Sequence, residues 1–443
     1  MLAGKYTYLK FVKLKDIERW DIKSLSANSL SSNYSMVKLS SLLSSANIEW
    51  IDIEDDKTYP ILGVHAHGEG VYINKVVLGK ELTMKQYQKS KVNTLFYCKV
   101  RTVNGQWGVV FPEYANSYGS SNMQYLEINF DLINPYFLLN LLKIRKLTDT
   151  WDAKAIGADG RHFTLTTLLQ LQIPLPSLSE QQTIIDSYNK RIKKAQELEE
   201  QTAQIEKEIE EYLLSELNIS ITKAKLHKGL NLIRFKDVDR WDCYNGGYSI
   251  ATSLKKSPYP IVEIGKIFDF TQRKWDKKEK EFNYVEIGAV DPLKGIMYTE
   301  KIQTSKAPSR ATQRIKTGDL IVGTTRPYLK KFAIVGAAHN DCVCSSGFQV
   351  IAPKEEYNLS YLYEYLKSSV AIAQFELFMS GALYPAITGK DLKKILLPLP
   401  PIEVQDSIVD HINKQKVQMK QMKQRAEELR KKALEEFEKE IFI

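Results

Sequence analysis

Cysteine is scarce in this chain: Cys98, Cys243, Cys342 and Cys344 are the four among 443 residues. That number and spacing support neither a disulfide framework nor a four-ligand zinc site. Cys342 and Cys344 alternate through Val343, a pattern that suits a strand burying both thiols on one face. No apolar run approaches the ~20 residues of a membrane span, and no N-terminal signal pattern appears. A cytoplasmic protein with no membrane partner is therefore expected. Glycine-rich phosphate loops of the P-loop or Rossmann kind are missing, as is a Gly-x-Ser-x-Gly elbow. His65 and His67 stand two apart, but no third ligand stands out nearby. Gly63, Gly68 and Gly70 around them read as strand and turn, so no metal site is expected. These absences point to a binder rather than a catalyst.

What the chain does contain, it contains twice. Ile173-Pro174-Leu175-Pro176 leads into Glu180-Gln181-Gln182-Thr183-Ile184-Ile185 and a long charged helix. Leu397-Pro398-Leu399-Pro400 leads into Val404-Gln405-Asp406-Ser407-Ile408-Val409 and another. The shift, 398 minus 174, is 224 residues. Thr164, Leu168 and Leu171 recur at that shift as Thr388, Leu392 and Ile395. Lys15-Asp16-Ile17-Glu18-Arg19-Trp20-Asp21 recurs as Lys236-Asp237-Val238-Asp239-Arg240-Trp241-Asp242, and Ser120-Ser121 as Ser345-Ser346. A repeat this long is a whole domain plus an arm, not a solenoid. It implies two similar surfaces, suited to a ligand that itself has two halves.

Charge is divided unevenly between the copies. Residues 1–220 carry 25 Lys/Arg against 26 Asp/Glu, leaving 37 (62 minus 25) against 27 (53 minus 26) for residues 221–443. Lys306, Arg310, Arg314, Lys316, Arg326, Lys330 and Lys331 crowd one stretch, with Asp319 as its single acid. Thr324, Thr325 and Tyr328 lie among them. Cations interleaved with hydroxyls and an aromatic ring suit phosphate and base-edge contacts. The DNA-contacting residues expected in the second copy are Arg310, Arg314, Arg326, Tyr328 and Lys330, with Ser345 and Ser346 as loop hydroxyls. Alignment of the copies adds Lys99, Arg101, Ser120, Ser121 and Asn122 in the first.

The fold class expected is α+β: residues 1–178 and 220–401 globular, with helical arms at 179–219 and 402–443. β-rich runs at 95–100, 107–111, 319–322 and 332–335 are punctuated by turns such as Asn104-Gly105. Helices are expected from Pro135 to Leu147 and from Ser360 to Phe378. Ser179 with Gln182 reads as a capping box opening the first arm. Leu198, Thr202, Ile205, Ile209 and Tyr212 step by four, three, four and three. Met419, Met422, Ala426, Leu429 and Ala433 alternate in the same way, so each arm carries a coiled-coil seam. Both seams are narrow and mix in Thr or Ala, and a lone arm would be marginal. The two arms are therefore expected to pair with each other, antiparallel, leaving a flank for partner helices. A helix from Glu180 to Glu216 would span ~55 Å, about 16 base pairs of B-DNA.

A globular part ending in Pro-Leu-Pro, a Glu-Gln-Gln-type helix start and a heptad arm, all duplicated, resembles the specificity subunits of Type I restriction–modification enzymes. The resemblance spans essentially the whole chain. It implies two target recognition domains, each reading one half of a split site on double-stranded DNA. It also implies an antiparallel coiled coil that docks two methyltransferase subunits, and through them restriction/translocase subunits. S-adenosylmethionine, ATP and Mg²⁺ would then sit on those partners, with no cofactor in this chain. Asn134-Pro135-Tyr136-Phe137 is similar to the Asn-Pro-Pro-Tyr motif of amino-methyltransferases but lacks its second proline, and Pro135 sits where a helix begins. A Type IIB-like subunit and a coiled-coil protein scaffold are the alternatives. A nuclease would need matched paired carboxylates in both copies, and none are seen.

Overall fold

The computed structural model describes residues 31–100, 102–151, 155, 162–219, 253–381 and 385–443. The repeated segments 15–21 and 236–242, Cys243 and Arg101 lie outside them. Packing divides the chain into two units, 1–199 with 424–443, and 200–423. Each unit therefore holds one globular domain, the start of the arm that follows it, and the end of the other arm.

In the first unit, Met36–Lys38 pairs antiparallel with Gln172–Pro174, just before the arm. A four-stranded antiparallel sheet runs, in order across it, Leu43–Ser45, Met123–Ile128, Thr94–Cys98, Trp107–Val109. A five-stranded sheet runs Trp50–Asp52, Gln86–Lys89, Tyr118–Gly119, Thr58–Val64, Val71–Leu78, with its third and fourth strands parallel. The second unit repeats this order. Ile261–Glu263 pairs with Leu396–Pro398. Its four-stranded sheet runs Asp269–Thr271, Phe348–Ala352, Leu320–Gly323, Phe332–Ile334. Its five-stranded sheet runs Arg273–Lys274, Ala311–Arg314, Val343–Ser345, Glu281–Val285, Glu300–Gln303, again with the third and fourth parallel. The hairpin Val290–Asp291 with Gly295–Ile296 has no partner in the described order of the first unit.

Cys342 and Cys344 enter one apolar cluster with Val285 and Ile321, while Val343 turns into another with Trp275 and Phe282. Strand alternation thus places both thiols on one face, and burial pushes the Cys344 thiol up to about 12. Thr164 and Thr388 each cap a short helix, accepting from Thr167 N and Asp391 N. The leucines and isoleucine recurring with them, Leu168, Leu171, Leu392 and Ile395, are all buried.

Two expected long helices are broken. Pro135–Leu141 and Arg145–Trp151 replace a single helix, because Leu141, Leu142, Ile144 and Leu147 cannot all be buried on one straight face. Leu359–Leu366 and Ser369–Phe378 are likewise separate, and the Ser368 side chain caps the second by accepting from Ala371 N. Gly105 takes the left-handed conformation (φ +69), but the connection between Thr94–Cys98 and Trp107–Val109 is a longer loop rather than a two-residue turn.

The arms are helices Leu178–Glu216 and Ile402–Ile441. The capping box lies two residues earlier than expected. Ser177 N and Oγ donate to the Glu180 carboxylate (2.9 and 2.6 Å), and Glu180 N donates back to Ser177 Oγ (3.4 Å). Within the first unit Arg191 pairs with Glu436 and Glu199 with Arg430. Within the second, Glu206 pairs with Lys423 and Tyr212 stacks on His411. One number rises as the other falls, so the helices run antiparallel in each unit. Thr202, Ile205, Met419, Ala426 and Ala433 are buried in the seam, and Leu198, Ile209, Tyr212, Met422 and Leu429 half-buried.

A buried glutamine joins each arm to its domain. Gln181 Oε1 accepts from Asn134 N (2.8 Å), and its Nε2 donates to the carbonyls of Leu132 (3.0 Å) and Pro176 (2.9 Å). Gln405 repeats this with Asn358 N (3.0 Å) and the Pro400 carbonyl (2.8 Å). Both residues are at most 1% exposed, so each amide satisfies its own polar atoms within the protein while tying the arm to the domain backbone. Replacing Gln181 by Leu is expected to cost about 1–3 kcal/mol, because three backbone hydrogen bonds are lost and the one to the Pro176 carbonyl is buried. Denaturant unfolding followed in the first domain checks it.

Candidate nucleic-acid interface

In the second domain the basic stretch is folded into adjoining turns. Ser346 N donates to the Arg310 carbonyl (2.7 Å), tying the turn after Val343–Ser345 to the start of Ala311–Arg314. Thr324 donates to the Gly347 carbonyl through both N (2.8 Å) and Oγ1 (2.9 Å). Arg326 N reaches the Pro385 carbonyl (2.7 Å). Arg326 and Lys330 are both left-handed (φ 49 and 52), bracketing the turn Pro327–Leu329 that presents Tyr328 to solvent. Beside Ser346 opens a groove of about 440 Å³. Trp275 and Phe348 line its apolar side, and Gln272, Lys274, Lys277 and Gln349 its polar side. Amide side chains offer paired donor and acceptor atoms to a base edge, and ammonium groups attract phosphate.

Two expected residues have other work. Ser345 is buried at the end of its strand, where its Oγ accepts from Gly347 N (3.2 Å). It shapes the turn instead of lining a loop surface. The Arg314 guanidinium is engaged by Glu279 (2.6 Å to each carboxylate oxygen) and donates to the Asp341 carbonyl (2.9 Å). Trp275 Nε1 donates to the same Glu279 carboxylate (2.6 Å), so this arginine holds the groove wall. Asp319, the lone acid of the basic stretch, is buried against Arg273. Its charge is neutralised internally, leaving the surrounding lysines without that counter-charge. Gln272, Lys274, Trp275, Lys277 and Gln349 were missed in the sequence, although Arg273-Lys274-Trp275-Asp276-Lys277-Lys278 is a basic run with an aromatic ring inside it.

The first domain repeats the framework. Lys99 N donates to the Asn122 carbonyl (2.8 Å), the counterpart of Thr324 and Gly347 at a shift of 225 (324 minus 99, 347 minus 122). Buried Gln88 donates to the Met123 carbonyl (3.1 Å), as buried Gln313 does to that of Phe348 (2.8 Å). Lys99 and Asn122 are exposed, and Ser120 and Ser121 half-buried. Ser121 Oγ faces Met84 Sδ at 3.6 Å. His65 stacks on Tyr72, and His67 Nδ1 lies 3.4 Å from Arg145, so the two imidazoles serve separate contacts. Among the described residues no cluster of three metal-ligating side chains occurs. Asn134 caps the helix Pro135–Leu141, and Pro135 is its first residue.

A family model for the Type I restriction modification DNA specificity domain matches this chain twice, over residues 31–211 and 256–431. The chain belongs to that family. The two matches fall on the two copies of the repeat, so the specificity domain is the duplicated unit. The Type I restriction enzyme MjaIX specificity subunit of Methanocaldococcus jannaschii is 29% identical over 138 residues, which is 31% of each chain. The match thus spans about a third of that relative. A solved chain from work on complex assembly and conformational transition of the type I R-M system covers 93% of this chain, and 98% of itself. Its TM-score is 0.52 at 18% identity, a likeness of fold. The HsdS subunit from Thermoanaerobacter tengcongensis is matched over 94% of this chain and 98% of its own, at 17% identity and a TM-score of 0.40. Among the described residues no helix is long and apolar enough to cross a membrane.

The assignment of Arg314 within this specificity domain is open to direct test. Arg314→Ala is expected to destabilise the second domain by about 1–3 kcal/mol, since it strips Glu279 of its cation and the Asp341 carbonyl of its donor. Lysine should not restore it, because it lacks the planar fork. The dependence of DNA affinity on salt should stay unchanged. A large change in that dependence without loss of stability would return Arg314 to the contact surface.

Proposed function

We propose that the chain is a non-catalytic DNA sequence-specificity subunit reading a bipartite double-stranded target. The observation that carries this is the recurrence, in both specificity domains, of one framework of turns around 99 and 122 and around 324 and 347. Each framework presents polar and basic residues to solvent, and duplicated readers match a target in two halves. Arg310, Arg326, Tyr328, Lys330, Ser346, Gln272, Lys274, Lys277 and Gln349 form the contact set in the second domain. Lys99, Ser120, Ser121 and Asn122 form it in the first, with Arg101 added from sequence. Phosphate contacts set register and the groove side chains select bases.

The arms position partners. Two methyltransferase subunits dock on their free flanks, bringing S-adenosylmethionine to the adenines of the target. Restriction/translocase subunits with ATP and Mg²⁺ join through them. This chain supplies address and spacing only. A Type IIB-like arrangement would use the same chain with different partners.

Mobility-shift titration of the reconstituted complex with duplexes taken from methylated host motifs tests the reading. Selective retention of a split motif is expected; equal retention of all sequences would contradict it. Within that assay, Lys274→Ala should weaken every duplex alike and lower the salt slope by about one. Arg310→Ala should relax one base position if the guanidinium reads guanine, at roughly 1–3 kcal/mol.

The arm helix Leu178–Glu216 has 39 residues, roughly 58 Å at ~1.5 Å per residue. Removing one heptad from each arm, 202–208 and 426–432, keeps both seams in step. It is expected to shorten the unread gap between half-sites while leaving the half-sites themselves unchanged. Sequencing of the methylated motif reads the outcome, and an altered half-site with an unaltered gap would remove the arms as the spacer.

A further inference from the structure

One connection of the five-stranded sheet is much longer in the second domain than in the first. Between Thr58–Val64 and Val71–Leu78 the first domain uses six residues, 65–70. Between the equivalent strands Glu281–Val285 and Glu300–Gln303 the second uses fourteen, 286–299. The added length folds as the hairpin Val290–Asp291 with Gly295–Ile296. Val290 and Ile296 turn inward, onto the apolar cluster that includes Ala333 and Val335. Leu293 at the tip, with Met297 and Tyr298 beyond it, is left outside, and these three are 50%, 51% and 52% exposed.

The tip is held in one shape. The Asp291 carboxylate accepts from Leu293 N (2.9 Å) and Lys294 N (2.8 Å), and Gly295 takes the left-handed conformation (φ +76) that closes the turn. Met297 N donates to the Ala289 carbonyl (2.9 Å) below it. Lys331 Nζ donates to the Val290 carbonyl (2.6 Å), fastening the hairpin beside the turn that carries Tyr328 and Lys330. A Cβ on Gly347 would come 2.5 Å from Ile287 Cδ1, so the start of the same connection lies against the turn after Ser345. The hairpin therefore adjoins both turns proposed above to contact DNA.

Large apolar side chains grouped on an ordered projection mark a surface that a partner covers. The charges around them select the partner. Lys294 is exposed at the tip, and half-buried Lys330 and Lys331 stand in the adjoining turn. The two acids of the connection are engaged, Asp291 by the tip backbone and Glu286 by the Tyr298 hydroxyl (3.2 Å). An apolar tip flanked by ammonium groups complements a duplex, whose stacked bases are apolar and whose edges are phosphate.

We propose that this hairpin enters a groove of the bound duplex and that Leu293 wedges between two neighbouring base pairs, with Lys294 on a phosphate. The inference rests on the DNA reading of the second domain and adds a distortion of the target to it. Partial unstacking by a leucine kinks the duplex at that step. Steps that open easily, pyrimidine–purine above all, are favoured there, so part of one half-site is sensed through deformability. The first domain, with its six-residue connection, leaves its half-site stacked.

The test compares the reconstituted complex of the full chain with its Leu293→Ala, Leu293→Met and Lys294→Ala forms. The duplex carries the methylated host motif, with 2-aminopurine placed at each purine of both half-sites and their flanks in turn. Its fluorescence reports unstacking, and the salt dependence of affinity reports phosphate contacts. The parent should brighten the probe at one step, in or beside one half-site, apart from the methylated adenines themselves. Leu293→Ala should abolish that brightening and weaken the target duplex about tenfold, the loss of one covered apolar side chain. Its unfolding temperature and salt slope should match the parent, and Leu293→Met should keep the brightening. Lys294→Ala should lower the salt slope by about one and leave the brightening in place. Brightening that persists in Leu293→Ala, or none in a parent that selects the split motif, would overturn the wedge and leave the DNA reading standing. Lost assembly with methyltransferase in Leu293→Ala, with DNA binding unchanged, would overturn it as well and assign the hairpin to a protein. A parent that selects no duplex would defeat the DNA reading and the wedge together.

Discussion

The core of each specificity domain is closed by the end of the arm that follows the other one. In the first unit Phe437, Ile441 and Phe442 lie in the main apolar cluster with Phe137, Leu138 and Leu171. The Phe437 ring is 5.5 Å from that of Phe137. In the second, Leu213 and Leu217 join Tyr361, Leu362 and Ile395. Phe437 and Ile441 stand at Leu213 and Leu217 plus 224, so the exchange is reciprocal. Fully burying one such side chain stabilises by roughly 1.5–3 kcal/mol, comparable with much of a domain's net stability. An arm must therefore start on its own domain and finish on the other core. That requirement makes antiparallel pairing a consequence of burial, with the narrow Thr- and Ala-containing seams needing to contribute little.

Much of this was legible because it is repeated. The Pro-Leu-Pro segments, the recurring Thr164 and Thr388 and the heptad seams pointed to a repeated domain, its arm and the pairing of the arms before any coordinates. What escaped was set by long-range pairing. Sequence reads Ser345 and Ser346 together as loop hydroxyls, while the strand carries Ser345 into the interior. Arg314 looks like one cation among several until Glu279, 35 residues away, takes one end of its guanidinium and the Asp341 carbonyl the other. The same pairing hid the groove. Trp275 and Lys277 come from one edge of the five-stranded sheet and Ser346 from a turn beyond its centre, so no window of sequence shows them together. The helix break at 142–144 followed from the direction in which leucines had to be buried, which local propensity does not record, and that at 367–368 from the Ser368 cap.

The copies share their framework and differ in their charge. Gln88 and Gln313 hold the same backbone carbonyls, and Lys99 and Thr324 form the same bond across the same turn. The exposed residues hung on those turns diverge freely, as does the hairpin Val290–Asp291 with Gly295–Ile296. A fixed scaffold with variable turns lets each domain carry its own surface. Residues 1–178 carry 20 Lys/Arg against 16 Asp/Glu and residues 220–401 carry 28 against 18, so the second domain is the more basic of the two.

Reciprocal closure of the cores is the claim on which this architecture stands. Hydrogen exchange of the Phe437→Ala chain tests it directly, because that residue lies in the arm following the second domain yet is buried with the first. The account predicts loss of amide protection in 123–128 and 135–141, with 348–352 and 359–366 protected as before. Protection lost in the second domain alone, or in neither, would contradict it.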